Sequence, residues 1–366
     1  MAGVWHRLTH FVGDLLVITP QFLIWFGVVA FLGWVACAVS IRRHHRRVAI
    51  VAGIAGLLLT IGTAADAVNA HYQYLPRVDD VIGVPTWPSS SVRVVADPGT
   101  RSYPHGTVVS IPIPGDVSGF RNRSAMVYLP PQYFTEPGQR FAVVYLLHGS
   151  PGAPVDWFRA ADAAKAGLDA ATAGTPVILV APRVSRKWTN DSECVDRSTE
   201  RIETYVTADV VPTIDRTLRT IPTAQGRGLA GMSAGGYCAL NIGLRHRDTF
   251  RGILDMSGFD RPTFDGGMAK LFGPVPDLTS VVAANTPATY VPTMPAEPTM
   301  SIWLDVGRSD GGARRDIENM DRELTARAQH VALQERPGGH DYGVWRPAFA
   351  EGLRWLAPEL SRSANA

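Results

Sequence analysis

The chain has 366 residues, with 35 Lys and Arg set against 33 Asp and Glu for a formal net charge of +2. So even a balance leaves no broad basic field for nucleic acid. The three cysteines, Cys37, Cys194 and Cys238, form no CxxC pair and no Cys/His cluster at metal-ligand spacing, so neither a structural zinc nor any other metal is expected.

Two apolar runs open the chain. Residues 15–41, "LLVITPQFLIWFGVVAFLGWVACAVSI", carry no charge and are long enough to cross a hydrocarbon core about 30 Å thick with some tilt. "RRHHRR" follows, then a second uncharged run at 48–65, "VAIVAGIAGLLLTIGTAA", near the lower length limit for a span. The pair predicts a transmembrane helical hairpin as the N-terminal unit, residues 1–67. Arg42, Arg43, Arg46 and Arg47 in so short a loop place it on the cytoplasmic side by the positive-inside rule. The chain beyond residue 66 is then expected outside the cell membrane. A cleaved signal peptide ending at "ACA", residues 36–38, fits less well, because the first run is too long and a second follows. His44 and His45 sit among cations that would repel a metal, and read as a solvated or headgroup-facing loop.

Residues 68–107 read as a juxtamembrane connector. "HYQYLPRVDD" carries the tyrosines and positive charge of an interface, and "VPTWPSSS" is broken by proline and serine. Trp87 and the valines at 92–95 are free to pack on the domain that follows.

From residue 108 to 366 short apolar runs alternate with helical patterns. "SAMVYLP", "FAVVYLLHG", "TPVILVAPR", "GRGLAG", "RGILDMSG", "TMSIWLDVG" and "VALQERPGG" predict strands. "AADAAKAGLDAATA", "ETYVTADVVPTIDRTL", "YCALNIGLRH" and "WRPAFAEGLRWLAPEL" predict helices. Buried strands alternating with helices imply a mostly parallel sheet covered on both faces, with ligands at the carboxyl ends of its strands.

The motifs fall at those ends. "GMSAGGYCALNIGLRH", residues 231–246, sets a Gly-x-Ser-x-Gly between a strand and a helix, which makes Ser233 a candidate nucleophile on a strained turn. A serine hydroxyl needs an adjacent base. In the order Ser, acid, His, Asp310 follows the strand "SIWLDVG", and His340 follows "VALQERPGG". Among other acids, Asp305 lies within a strand and is expected to face a structural partner, and Asp316 falls on a solvated helix face. Among other histidines, His330 precedes a strand, His246 ends the helix after Ser233, and His148 reads as a residue that shapes its turn. Donors for an oxyanion are expected from the backbone N–H of Ala234 and, in "HGSPG", that of Ser150.

"VVYLLHGSPGAPVDW", "GMSAGGYCALNIGLRH" and "GGHDYGVWRPAFAEGLRWL" together resemble the esterase D and feruloyl esterase family of α/β-hydrolases, whose fold the mycobacterial mycolyltransferases share. The resemblance covers residues 118–356 and implies an α/β-hydrolase fold and hydrolysis of carboxylic esters. Positions matching the family's nucleophile, acid and base are Ser233, Asp310 and His340, and its HG loop supplies an oxyanion N–H. The mycolyltransferases carry Asp-Gly where this chain has His148-Gly149, and a glutamate where it has Asp310, which favours esterase over mycolyl transfer. The hairpin resembles that of actinobacterial membrane-anchored esterases.

Cys194 and Cys238 are the cysteines outside the apolar runs. In an oxidising compartment they are expected to pair, the alternative being two buried thiols. Trp157 and Trp188 sit on loops expected at the cleft, with Arg183, Arg186 and Lys187 beside Trp188, where they would either grip substrate or serve as loop packing and solvated charge.

The expectation is a membrane-anchored extracytoplasmic serine esterase acting through an acyl-enzyme on an ester or acyl-lipid substrate, lipid-linked or borne on the cell envelope, without a cofactor. The alternatives are an acyltransferase serving an envelope sugar or lipid hydroxyl, and a non-catalytic envelope-binding protein of the same fold.

Overall fold

The computed structural model describes residues 20–82, 85–96, 102–121 and 123–362. They fall into two compact units, Met1–Thr86 with Asp341–Gly343, and Trp87–His340 with Val344–Ala366. The first five residues of the predicted first span, 15–19, lie outside the described residues.

The first unit is built on two helices, α1 (Pro20–Arg42) and α2 (Arg46–Tyr72). Leu23–Arg42 and Arg46–Tyr72 are each long and apolar enough to cross a membrane by length and composition. Small residues let the backbones meet. A Cβ built at Gly33 would stand 3.1 Å from the Cα of Gly56, and one at Gly53 3.2 Å from Cys37 Sγ. Trp34 Nε1–H donates to Thr60 Oγ1 at 3.0 Å across the pair. The second helix runs past the apolar stretch, because nothing in "DAVNAHY" breaks it. It stops at Gln73, whose left-handed backbone (φ 53°) donates its N–H to the Asn69 carbonyl at 2.6 Å.

The second unit takes in the chain from Trp87. Val108 N–H donates to Pro88 O at 2.8 Å and Ser90 N–H to Val108 O at 3.0 Å. Val94 and Val95 pack against the core.

Ten strands follow: β1 (Thr107–Ile113), β2 (Arg123–Leu129), β3 (Ala142–Leu147), β4 (Val177–Pro182), β5 (Asp196–Arg197), β6 (Glu200–Arg201), β7 (Arg227–Met232), β8 (Gly252–Met256), β9 (Ser301–Gly307) and β10 (His330–Arg336). Eight form one sheet in the order β1-β2-β4-β3-β7-β8-β9-β10, and β5 pairs with β6. Within the eight-stranded sheet β2 is antiparallel to β1 and to β4 and the other pairs are parallel, while β5 and β6 are antiparallel. Every residue of β3, β4 and β7 is buried, as a parallel sheet covered on both faces demands. β1 instead alternates at the edge, with Val109, Ile111 and Ile113 inward and Ser110 and Pro112 exposed.

The longer helices around the sheet are α3 (Ala163–Thr172), α4 (Ala234–Arg245), α5 (Gly311–Ala326) and α6 (Tyr342–Arg362), of which α4 to α6 begin beside the site. The expected helix at 203–218 is present, but its middle, Tyr205–Val210, widens to a π-helical turn ahead of Pro212. Helix α6 docks closely on the sheet, since a Cβ at Gly252 would stand 2.6 Å from Leu356 Cδ1. The architecture is the α/β-hydrolase fold. Strands β3, β7, β8, β9 and β10 end at one edge, so the loops carrying residues 148–152, Ser233, 257–265, Asp310 and His340 share that edge.

Candidate active site

Ser233 lies between the last residue of β7 and the first of α4, with φ 57° and ψ −127°. A non-glycine residue held there stores about 1–3 kcal/mol of backbone strain, and the surroundings over-determine it. A Cβ at Gly231 would fall 1.7 Å from Gly235 O, and one at Gly235 2.1 Å from Leu147 O. Only glycine at both positions lets β7 turn this sharply into α4 beside the end of β3. Ser233 N–H donates to Met256 O at 2.9 Å, which ties the elbow to β8, and Ser233 O accepts from Gly236 N–H at 2.8 Å.

His340 lies between the hydroxyl and a carboxylate. Its Nδ1 is 2.7 Å from Asp310 Oδ2, and its Nε2 is 2.8 Å from Ser233 Oγ. An ionised Asp310 can only accept, so Nδ1 carries the proton and Nε2 offers its lone pair to Ser233 Oγ–H. The Phe259 ring stacks at 6.2 Å between centroids and Trp345 meets the imidazole edge-on at 4.8 Å. Asp310 stands at the N-cap position of α5, where the helix dipole favours a carboxylate. The loops after β9 and β10 run side by side, with Ser309 N–H on Gly338 O at 2.9 Å.

The other candidates have structural partners. Asp305 is fully buried, paired with Arg336 and bonded by Trp303 Nε1–H at 3.3 Å. Asp316 faces Arg261 at 3.8 Å. His246 Nε2 is 2.7 Å from Glu203 Oε1, and the His330 ring lies 5.1 Å from Trp355. His148 shapes its turn: Nδ1–H donates to Gly149 O at 2.9 Å, and Nε2 accepts from Val184 N–H at 3.2 Å. Burial pushes its pKa down to about 4, so it stays neutral.

A cleft of about 660 Å³ opens at Ser233. Ser150 and Ala234 line it, on the two sides from which oxyanion donors are expected. Its walls include Thr189, Asn190, Asp191 and Arg197 on one segment, and Phe259, Phe264, Asp265 and Lys270 on another. Sequence reasoning missed the second wall entirely, because residues 259–270 carry no motif. Trp157 is not a cleft residue: its ring is fully buried and meets Phe349 at 4.9 Å. Trp188 is 51% exposed, and its neighbours at 189–191, not its ring, line the cleft. Arg186 pairs with Glu200. Among the described residues no group of His, Cys, Asp or Glu is arranged to hold a metal ion.

A disulfide joins Cys194 to Cys238, so the first wall is stapled to the second turn of α4. Beside it Glu193 Oε1 accepts from Thr263 N–H at 2.7 Å, linking the two walls, and burial pushes that carboxyl up to about 7. Removing the staple with Cys194→Ser and Cys238→Ser together is expected to cost about 2–4 kcal/mol. The fall would be read as a lower urea midpoint, and an unchanged midpoint would contradict a bracing role.

Asp255, at the end of β8, also escaped sequence reasoning. Its Oδ1 accepts from Gly258 N–H at 2.8 Å, and it lies hard against Gly236 in the first turn of α4. Burial pushes its carboxyl up to about 8. The unfolded chain ionises this group near pH ~4, so the folded protein loses stability as pH rises from there through about 8. Asp255→Asn keeps the acceptor and has no proton to lose. Its Tm relative to wild type should therefore climb between about pH 5 and about pH 8, whereas a gap constant with pH would contradict a neutral Asp255.

Comparison with known proteins bears on this geometry. The family model described as "Putative esterase" matches residues 120–356. An uncharacterized protein of Corynebacterium glutamicum is 27% identical over 333 residues, 87% of this chain and 78% of its own length. An esterase of Mycobacterium tuberculosis is 33% identical over 138 residues, which make up 37% of this chain and 29% of that esterase. A solved ferulic acid esterase superposes with a TM-score of 0.59 at 22% identity, covering 69% of this chain and 97% of its own, a likeness of fold.

Proposed function

This chain belongs to the Esterase family and is an ester-hydrolysing serine hydrolase, and from that premise we propose a membrane-anchored esterase that works through Ser233, His340 and Asp310. The observation that carries the proposal is the unbroken relay from Ser233 Oγ through the imidazole to Asp310 Oδ2, 2.8 and 2.7 Å, on a strained elbow at the head of a cleft.

His340 Nε2 takes the proton as Ser233 Oγ attacks the ester carbonyl. Asp310 holds the imidazole in that tautomer and stabilises the imidazolium. The negative oxygen is received by the N–H groups of Ala234 and Ser150, each donor contributing about 3 kcal/mol by analogy with oxyanion holes elsewhere. Collapse expels the alcohol, which takes the proton from His340, and leaves the acyl group on Ser233. Water, deprotonated by His340, then releases the acid and restores the serine. The side chain of His340 is 37% exposed, so water reaches the base as the hydrolytic step requires.

Helices α1 and α2 would form the anchor, with the arginine loop cytoplasmic and the esterase unit outside. Trp25, Phe31, Leu32 and Leu58 point outward from the pair and are exposed, which suits lipid and not water. A substrate carried by a lipid or by the cell envelope follows from such a tether.

The test is hydrolysis by the full chain of soluble p-nitrophenyl esters and of the same acyl groups borne on lipids in vesicles. Release of free acid with faster turnover of the vesicle-borne ester is expected. Equal turnover of both forms would remove the envelope substrate, and acyl product on an added sugar or alcohol would replace hydrolysis by transfer.

A further inference from the structure

At the turn of the hairpin the first unit carries a groove that the catalytic chemistry does not use. It has a volume of about 600 Å³ and is lined by Cys37 and Ile41 of α1, His44 of the turn, and Arg46, Ala49 and Ile50 of α2. The turn is folded tightly: His45 N–H donates to Ser40 O at 2.9 Å and His44 adopts φ 57°. The basic head of Arg46 and the ring of His44 are thereby set beside an apolar wall.

The cations here have nothing of their own chain to neutralise them. No Asp or Glu occurs between residues 20 and 65. Among the described residues no ion pair uses Arg42, Arg43, Arg46 or Arg47. The four arginines are exposed at the end of two apolar helices, where the headgroup of an anionic lipid is the counter-charge that a membrane surface offers. A free anion would use only the basic head of the groove and leave its exposed Ile41 and Ile50 without an apolar partner. A phospholipid satisfies both parts, with its phosphate at Arg46 and His44 and its first acyl carbons along the isoleucines.

We propose that this groove is a binding site for the headgroup of an anionic phospholipid. The inference rests on the hairpin being a membrane anchor. It makes the turn a lipid-selective contact as well as a topological signal.

The test uses the full chain in neutral detergent micelles, observed by native mass spectrometry, with short-chain phosphatidylglycerol, short-chain phosphatidylcholine and inorganic phosphate as probes. Phosphatidylglycerol is expected to stay bound where phosphatidylcholine does not, and phosphate at equal concentration is expected not to displace it. Arg46→Gln should weaken retention about fivefold, the effect of one basic side chain at an anionic surface. Ile50→Trp fills the groove without changing charge and should weaken retention at least as much, with helical circular dichroism unchanged in both variants. Equal retention of the two lipids, full competition by phosphate, or unaltered retention in Ile50→Trp would each overturn the site. Carbonate extraction of membranes holding the full chain separates this from the anchor itself. Release into the soluble fraction defeats both, whereas retention without headgroup preference defeats the lipid site alone.

Discussion

Ser233→Ala is expected to lower kcat by about 10⁵- to 10⁶-fold, the loss seen when a serine nucleophile is deleted from a comparable triad. Alanine keeps the Cβ and so the strained backbone at φ 57°. Gly231 and Gly235 still enforce the turn, so thermal stability should stay within about 0.5 kcal/mol of wild type. The variant loses only the atom 2.8 Å from His340 Nε2. His340→Ala should cost a similar factor, and the double variant little more than either single one, because serine and histidine act as a unit. Initial rates on p-nitrophenyl acetate, with Tm as the control for folding, check this. Retention of activity within tenfold in a folded Ser233→Ala protein would mean that another nucleophile does the work.

The second large effect separates the two acids at the end of β9. Asp310→Asn should lower kcat by about 10⁴-fold with stability little changed, since an amide at that site permits the wrong imidazole tautomer. Asp310 accepts from His340 Nδ1 at 2.7 Å and holds the N-cap position of α5 without a side-chain cap hydrogen bond, so the amide removes no cap. Asp305→Asn should do the reverse. Asp305 lies fully buried against Arg336, and its loss leaves that guanidinium with Glu351 at 3.1 Å as its remaining acidic partner. The expected cost is up to about 3 kcal/mol of stability, with kcat per folded molecule nearly unchanged. Activity and urea midpoints of both variants decide it, and a crossed result would exchange the roles.

Much of the catalytic unit was legible in the sequence because its chemistry is local. β3, β4 and β7 are continuous apolar runs, as strands buried on both faces must be, and the loops after β7, β9 and β10 follow directly from them in the chain. The glycines around Ser233 mark a place where a strand must turn into a helix without room for a Cβ. β1 was not singled out, because an edge strand with an exposed serine and proline has only a half-buried alternation to show. Trp157 was misplaced for a different reason. It sits in a short helix, Val155–Arg159, and not on the expected loop, and an aromatic side chain there has the same sequence signature whether it meets a cleft or a core, so only the packing on Phe349 tells them apart. The wall at 259–270 and the buried Asp255 depend on which loops the sheet order brings together, and nothing in their own residue types announces that. In the hairpin the apolar run ends at residue 65 while α2 continues to Tyr72, because polar residues that do not break a helix leave no boundary in the sequence.

The most direct measurement is labelling of the full chain with a fluorophosphonate, followed by intact mass and peptide mapping, on wild type, Ser233→Ala and His340→Ala. A single adduct on Ser233, absent from the first variant and strongly slowed in the second, is expected from a hydroxyl activated by the imidazole 2.8 Å away. A folded wild-type protein that takes no adduct, or takes it on another residue, would contradict Ser233 as the nucleophile.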